Sequence, residues 1–175
     1  MKKTFPNAIM MCCAVFLLLV SCQKENSTQI KTEEQYLSAN LNAQGQTPPF
    51  HMEIILRGEG IGFGLIKFRQ DNDPEKIIIL DTWVRDLAPN HNYLLQRAVD
   101  TNLDGNCTST SWLTLGRGLV PQAITTAANG TGREILWRNI SAAATGATFD
   151  IHFRVLDAVT MAVVLTSDCY RYVVR

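Results

Sequence analysis

The strongest constraint on the fold is a strict alternation of apolar and polar side chains over residues 148–156. The apolar positions are Phe149, Ile151, Phe153 and Val155, and the polar positions between them are Asp150, His152 and Arg154. Successive side chains of a strand point to opposite faces of a sheet. The run therefore predicts a strand of an antiparallel sheet, with one buried and one solvated face.

Short runs rich in Ile, Val, Phe and Tyr continue from Met52 to the last residue, and none has the apolar spacing of a helix. Further strands are predicted over residues 52–57, 63–70, 76–86, 92–99, 122–126, 133–140, 161–166 and 170–175. Pairs such as Asp104-Gly105, Asn129-Gly130 and Thr145-Gly146 supply turns with positive φ. The pattern predicts an all-β domain, specifically an antiparallel, immunoglobulin-like β-sandwich of about eight or nine strands.

One short motif bears on this architecture. Leu87-Ala88-Pro89-Asn90-His91-Asn92-Tyr93 resembles the Leu-x-Pro-x-x-x-Tyr corner of fibronectin-type and related sandwich domains. The resemblance implies that the Tyr93 hydroxyl bonds to nearby backbone. A tyrosine that merely begins a strand is the alternative.

The N-terminal segment has the features of an export signal. Lys2 and Lys3 precede a stretch of about 13 apolar or Cys residues, whereas roughly 20 are needed to span a bilayer. The residues Leu18-Leu19-Val20-Ser21-Cys22 resemble the lipobox of bacterial lipoproteins. The resemblance implies cleavage before Cys22 and lipid attachment to its thiol. An ordinary secretory signal with a chance cysteine is the alternative.

The lipobox resemblance implies an organisation in three parts and a location in the cell envelope. Residues 1–21 are the signal peptide, residues 22–49 the lipidated N-terminus and flexible tether, and residues 50–175 the folded domain. A short helix over residues 33–41 is an alternative for part of the tether. No Asp follows Cys22, which favours anchoring in the outer membrane, with the domain facing the periplasm or the cell surface.

The charge of the chain argues against nucleic acid as a partner. Its cysteine content predicts one disulfide. Without Lys2 and Lys3 the chain has 14 basic and 16 acidic residues, so no basic field attracts nucleic acid. Once Cys22 is lipidated, Cys107 and Cys169 are the remaining cysteines of the processed chain. Because export implies an oxidising compartment, these two are predicted to form a disulfide.

Residues 100–105 suggest a weak calcium site. Asp100, Asn102 and Asp104 alternate as in the opening of a calcium loop, and Gly105 permits a sharp bend. An EF-hand is excluded because Ser111 stands at the twelfth position and no helices flank the loop. A hairpin loop rich in Asp and Asn, without a metal, is the alternative, and no other cofactor is predicted.

No catalytic residues are predicted, which favours a non-catalytic binding or structural module. The chain has no Gly-x-Ser-x-Gly elbow and no free cysteine after processing. The disulfide-linked sandwich resembles the copper-zinc superoxide dismutase fold, but three scattered histidines do not match that family's ligand set. Trp83, Trp112 and Trp137 are candidate anchors for an envelope or host protein or a glycan, unless they fill the core. An envelope hydrolase, a degenerate dismutase-like enzyme and a calcium-stabilised adhesion module are the alternatives.

Overall fold

The computed structural model describes residues 50–175. The predicted signal peptide, the predicted tether and Cys22 lie outside the described residues. Residues 50–175 are all-β and contain no helix, so none that is long and apolar enough to cross a membrane. The strands are β1 His51–Arg57, β2 Phe63–Gln70, β3 Ile77–Arg85, β4 Asn92–Asp100, β5 Leu113–Thr114, β6 Gly116–Arg117, β7 Val120–Pro121, β8 Ala123–Thr125, β9 Gly132–Asn139, β10 Thr148–Asp157, β11 Val163–Ser167 and β12 Tyr170–Val173.

All twelve strands belong to one hydrogen-bonded sheet. Its order is β5-β4-β10-β11-β1-β2-β3-β9-β6-β7, with β12 paired to β10 and β8 paired to β4. The pairing is antiparallel except between β6 and β9. Because β8 pairs with β4 and Thr126 bridges to Gly132 at the start of β9, the sheet curls until it nearly closes into a barrel.

The core lies on the concave side of this sheet, where alternate residues of the long strands point. In β1 the alternation is nearly complete, since Met52, Ile54 and Leu56 are buried while Glu53 and Arg57 are exposed. The other strands contribute aliphatic and aromatic side chains to the same cluster. Their fully buried members include Phe68, Phe153, Ile66, Leu80, Leu95, Leu115, Ile124, Leu136 and Leu165.

The all-β fold is confirmed, and each of the nine predicted segments contains a strand. The structure adds three strands that the sequence did not predict, β5, β6 and β7, each of two residues. A two-residue strand shows no periodicity, and only its pairing with distant residues defines it. The immunoglobulin-like sandwich is not confirmed, because all the strands join one continuous sheet.

The predicted glycine turns are present, and so is a bond between nearby backbone and the Tyr93 hydroxyl. Gly105, Gly130 and Gly146 have φ values of 79°, 74° and 83°, as the turn assignments require. At Gly130 a Cβ atom would also lie 2.4 Å from the Leu87 carbonyl oxygen, so this turn packs tightly on the corner. The Ala88 N–H donates to the buried Tyr93 hydroxyl at 3.0 Å. This bond fastens the start of β4 to the loop that precedes it.

One position of the alternating run differs from the prediction. Asp150 was expected on the solvated face of β10, but its residue is only 1% exposed. The loop of residues 101–112 covers the Asp150 carboxylate, which accepts from the Gly105 N–H of that loop at 2.8 Å. Arg171 Nε, from β12, donates to the same carboxylate at 3.1 Å. Burial alone would raise the pKa of Asp150, but these two donors outweigh it and the pKa is lowered. Asp150 is therefore a buried anchor for the loop.

Candidate functional site

Exposed apolar side chains gather on the convex side of β2, β3 and β9. Trp83 is 45% exposed, Ile135 49% and Trp137 39%, while Phe63 and Leu65 are half-buried beside them. We call these five residues the tryptophan face. The strand register places Leu65 opposite Trp83, and Trp83 opposite Arg133 on β9. Ile135 lies between the levels of the two tryptophans, which are four residues apart along the strands, roughly 13 Å.

A network of polar contacts holds Trp83 in place on this face. Arg133 donates to both Asp81 oxygens at 2.8 Å, and the Trp83 indole N–H donates to Asp81 Oδ1 at 3.0 Å. The Arg133 guanidinium lies 4.3 Å from the Trp83 ring centroid, a cation–π distance. The hydrogen bond from Arg133 holds the pKa of Asp81 below its usual range, so this carboxylate stays charged. Trp83 and Arg133 are therefore oriented before any partner arrives.

A groove continues from the tryptophan face toward the turn between β8 and β9. It has a volume of about 590 Å³ and is lined by Phe63, Leu65, Trp83, Val84, Arg85, Thr125, Ala127, Thr131, Gly132 and Arg133. The Arg85 guanidinium lies 5.0 Å from the Phe63 ring centroid at one border. The walls of the groove are mainly apolar, and Arg85 and Arg133 lie at its border.

The third candidate tryptophan lies elsewhere. Trp112 is half-buried and packs on His152 of β10, with ring centroids 4.5 Å apart. The Arg154 guanidinium also lies over the Trp112 ring, 4.0 Å from its centroid. Arg154 Nε donates to Gln96 Oε1 at 2.8 Å. The structure thus brings Trp83 and Trp137 to one face, whereas Trp112 fastens the loop of residues 101–112 to the sheet.

The predicted calcium residues are engaged within that loop. Asp100 Oδ2 accepts from the Thr108 and Ser109 N–H groups at 3.0 Å each. Asp104 accepts from the Asn106 N–H at 2.8 Å and from Asn102 Nδ2 at 2.6 Å. These contacts are those of a loop closed by Asp and Asn side chains. In residues 50–175 no three His, Cys, Asp or Glu side chains are grouped to hold a metal ion, and the calcium site stays a prediction.

The predicted disulfide is confirmed. Cys107 and Cys169 are bonded across 62 residues of sequence, with their Cα atoms 5.4 Å apart. The bond joins the loop of residues 101–112 to the turn between β11 and β12. Arg171 adds a second link on the same side by donating to the Leu103 carbonyl at 2.7 Å.

One histidine is paired with an aspartate, but the pair serves the fold. His91 Nε2 lies 2.8 Å from Asp157 Oδ2. Asp157 Oδ1 also accepts from the Val159 and Thr160 N–H groups, and these bonds lower the pKa of Asp157 to about 2. Among the described residues, no serine, threonine or cysteine side chain bonds to the His91 ring, so a hydrolytic triad is not assembled there.

Comparison of the chain with protein-family models, with curated proteins and with solved structures finds no match. Any function must therefore be argued from the geometry itself. Sequence reasoning named Trp83 and Trp137 but missed Asp81, Arg133 and Ile135. The sequence does contain a pattern that could have identified Arg133 and Ile135. These two residues and Trp137 occupy alternate positions of one predicted strand, so their side chains share a face.

Proposed function

We propose that this protein is a lipid-anchored protein of the bacterial outer membrane whose domain of residues 50–175 binds another envelope protein through the tryptophan face. The binding is non-catalytic. The observation that carries the proposal is the exposure of two tryptophans and an isoleucine on one sheet face, with Trp83 already oriented by Asp81 and Arg133. The twelve-strand sheet supplies the rigid body, and an immunoglobulin-like arrangement is not required.

The composition of the face favours a macromolecular partner. Trp and Arg are the residues that most often dominate binding energy at protein interfaces, and Trp83 and Arg133 lie in contact here. Because Asp81 already holds Arg133 by two hydrogen bonds, little side-chain freedom remains to be lost on binding. A large exposed apolar patch is itself typical of an interaction site.

The exposed aliphatic side chains on and beside the tryptophan face favour a protein over a glycan. Ile135 is half exposed, and Leu119 and Val120 are exposed at the β6–β7 turn, where Gly118 packs on the Trp137 ring. Aliphatic side chains offer a sugar neither a hydrogen bond nor an aromatic surface. Arg85 at the border complements a partner that carries acidic side chains around an apolar anchor.

Lipid attachment at Cys22 has a direct test. We expect the full-length chain, expressed in a Gram-negative bacterium, to incorporate radiolabelled palmitate and to fractionate with the outer membrane. Diacylation supplies the anchor, since each buried methylene contributes about 0.8 kcal/mol. Cys22→Ser should abolish the label, whereas the control Cys13→Ser should retain it. Label that survives Cys22→Ser would exclude the anchor.

The binding face has an independent test by site-specific crosslinking. A photoreactive amino acid at position 135 should yield a discrete adduct with one envelope protein, whereas the same amino acid at exposed Val159 should not. With that partner purified, we expect Trp83→Ala to weaken the affinity about 30-fold, or about 2 kcal/mol, as for a central interface tryptophan.

The control for the affinity measurement is Val159→Ala, which removes an exposed apolar side chain outside the tryptophan face and should leave the affinity unchanged. Two results would contradict the proposal. One is an equal loss of affinity for Val159→Ala and Trp83→Ala. The other is binding of the domain to purified glycans with no protein adduct at position 135, which would assign the face to carbohydrate.

A further inference from the structure

A second cavity lies inside the sheet, away from the tryptophan face. It has a volume of about 130 Å³, and its walls include Phe68, Ile78, Phe149, Ile151 and Tyr172. These residues lie where β2 ends and β3 and β10 begin, so the cavity belongs to one end of the curled sheet. Its walls are almost entirely apolar, with one exception.

That exception is Arg97, whose side chain is directed to the interior. In β4 the alternate residues Tyr93 and Leu95 are buried in the core, and Arg97 is the next residue of that series. Its partner across the sheet is Phe153, which is also a core residue. Arg97 itself lines the cavity and is half-buried.

Nothing in the described part of the chain neutralises this guanidinium. Within residues 50–175 Arg97 takes part in no ion pair, and no side-chain hydrogen bond reaches it. Burial, and then repulsion from Arg138, lower the pKa of Arg97. A half-buried charge without an ion pair costs folding free energy, so such a residue is seldom retained for stability.

Arg138 is a second cation on the same side. It is half-buried, and its register partner on β3 is Ile78, a core residue that lines the cavity. Directly opposite residues of paired strands share a face, so Arg138 belongs to the interior side of β9. The residues described give Arg138 no ion pair either. Two positive charges thus lie on the interior side of the sheet, and Arg97 lines the apolar cavity, which is an arrangement that an anion would stabilise.

We propose that this cavity binds a small carboxylate with a compact apolar body, which places its carboxylate on Arg97 and its body among Phe68, Phe149 and Tyr172. Arg97 presents a planar fork that matches a carboxylate with two hydrogen bonds. The aromatic walls take the apolar part of the ligand. At about 130 Å³ the cavity is smaller than usual drug-sized sites, so the occupant is the size of a single ring or a short acyl chain. This site does not depend on the tryptophan face.

Calorimetric titration of the full-length protein with phenylacetate tests the site. We expect saturable binding of phenylacetate, and at least tenfold weaker binding of both acetate, which lacks the ring, and phenethyl alcohol, which lacks the charge. Arg97→Met should weaken phenylacetate binding at least tenfold. The same variant should raise the Tm by about 4 °C, because it removes a half-buried charge that has no ion pair among the described residues.

A loss of affinity together with a higher Tm identifies Arg97 as a ligand-binding residue. If Arg97 had a structural role, its replacement would lower the Tm of the protein. Arg97→Gln supplies a second neutral variant and should show the same loss of affinity. The control Arg57→Gln, at an exposed position of β1, should leave phenylacetate binding unchanged.

Three results would overturn the proposal. They are equal affinities for phenylacetate and phenethyl alcohol, undiminished phenylacetate affinity in both Arg97 variants, and no binding to the wild-type chain. None of these results bears on the crosslinking at position 135, so the two proposals fail separately.

Discussion

Removal of the Cys107–Cys169 disulfide should lower the free energy of unfolding by about 4 kcal/mol, the loss expected for a loop of this length from the entropy of the unfolded chain. The bond closes 62 residues of sequence, from the loop of residues 101–112 to the turn before β12. Small domains are stable by only 5–15 kcal/mol, so this loss is a large part of the total. Urea unfolding of Cys107→Ala/Cys169→Ala beside the oxidised wild type measures it.

The reduced wild type is the matched control, since it has the same core and lacks only the bond. Its unfolding midpoint should fall to that of the double variant, whereas reductant should leave the double variant unchanged. A double variant that unfolds at the same urea concentration as the oxidised wild type would contradict the prediction. It would mean that Asp150, Arg171 and the Trp112 stack hold the loop without the bond.

Replacement of Phe68 by alanine should cost about 3–5 kcal/mol, the usual range for removing a buried phenylalanine ring. Phe68 is 1% exposed and has edge contacts with Phe153 at 6.4 Å and Tyr172 at 4.9 Å between centroids. The loss combines the transfer of the ring from core to water with the cavity that remains. The same urea measurement gives its size.

Leu119→Ala is the control for this core substitution, because Leu119 is exposed at the β6–β7 turn and should change the stability by no more than about 0.5 kcal/mol. Phe68→Leu should fall between the two, since it keeps most of the apolar volume. If Phe68→Ala and Leu119→Ala had equal effects, the interior of the sheet would not be the core of the molecule.

Local chemistry was sufficient to predict nine of the twelve strands and the glycine turns. The alternation over residues 148–156 and the apolar runs of the other long strands are properties of neighbouring residues, as are the positive-φ glycines of the turns. The Cys107–Cys169 pairing followed from counting cysteines in a chain predicted to be exported. Each of these inferences needs only sequence spacing and composition, and each is confirmed for the residues described.

The candidate sites needed information that spacing does not contain. Trp83 and Trp137 share a surface only because β9 pairs with β3, in a register that sets Trp83 opposite Arg133. Trp112 has the same chemistry but packs on His152 instead. Asp150 is polar in an alternating run, yet the loop above it makes it a buried anchor. In the sequence, Arg97 looks like any polar residue of a strand. Its position on the interior face is evident only from the strand register, which sets it opposite the core residue Phe153.

The sequence by itself determined that residues 50–175 form an all-β domain with tight glycine turns and one long-range disulfide. Only the tertiary structure decided that the sheet curls until β8 meets β4, which tryptophans remain exposed, and that Arg97 lines an interior cavity. The physical reason is the range of the interactions. Backbone preference and side-chain alternation depend on residues that are neighbours in the sequence. Burial and charge pairing depend on residues that are far apart in the sequence and come together only in the folded chain.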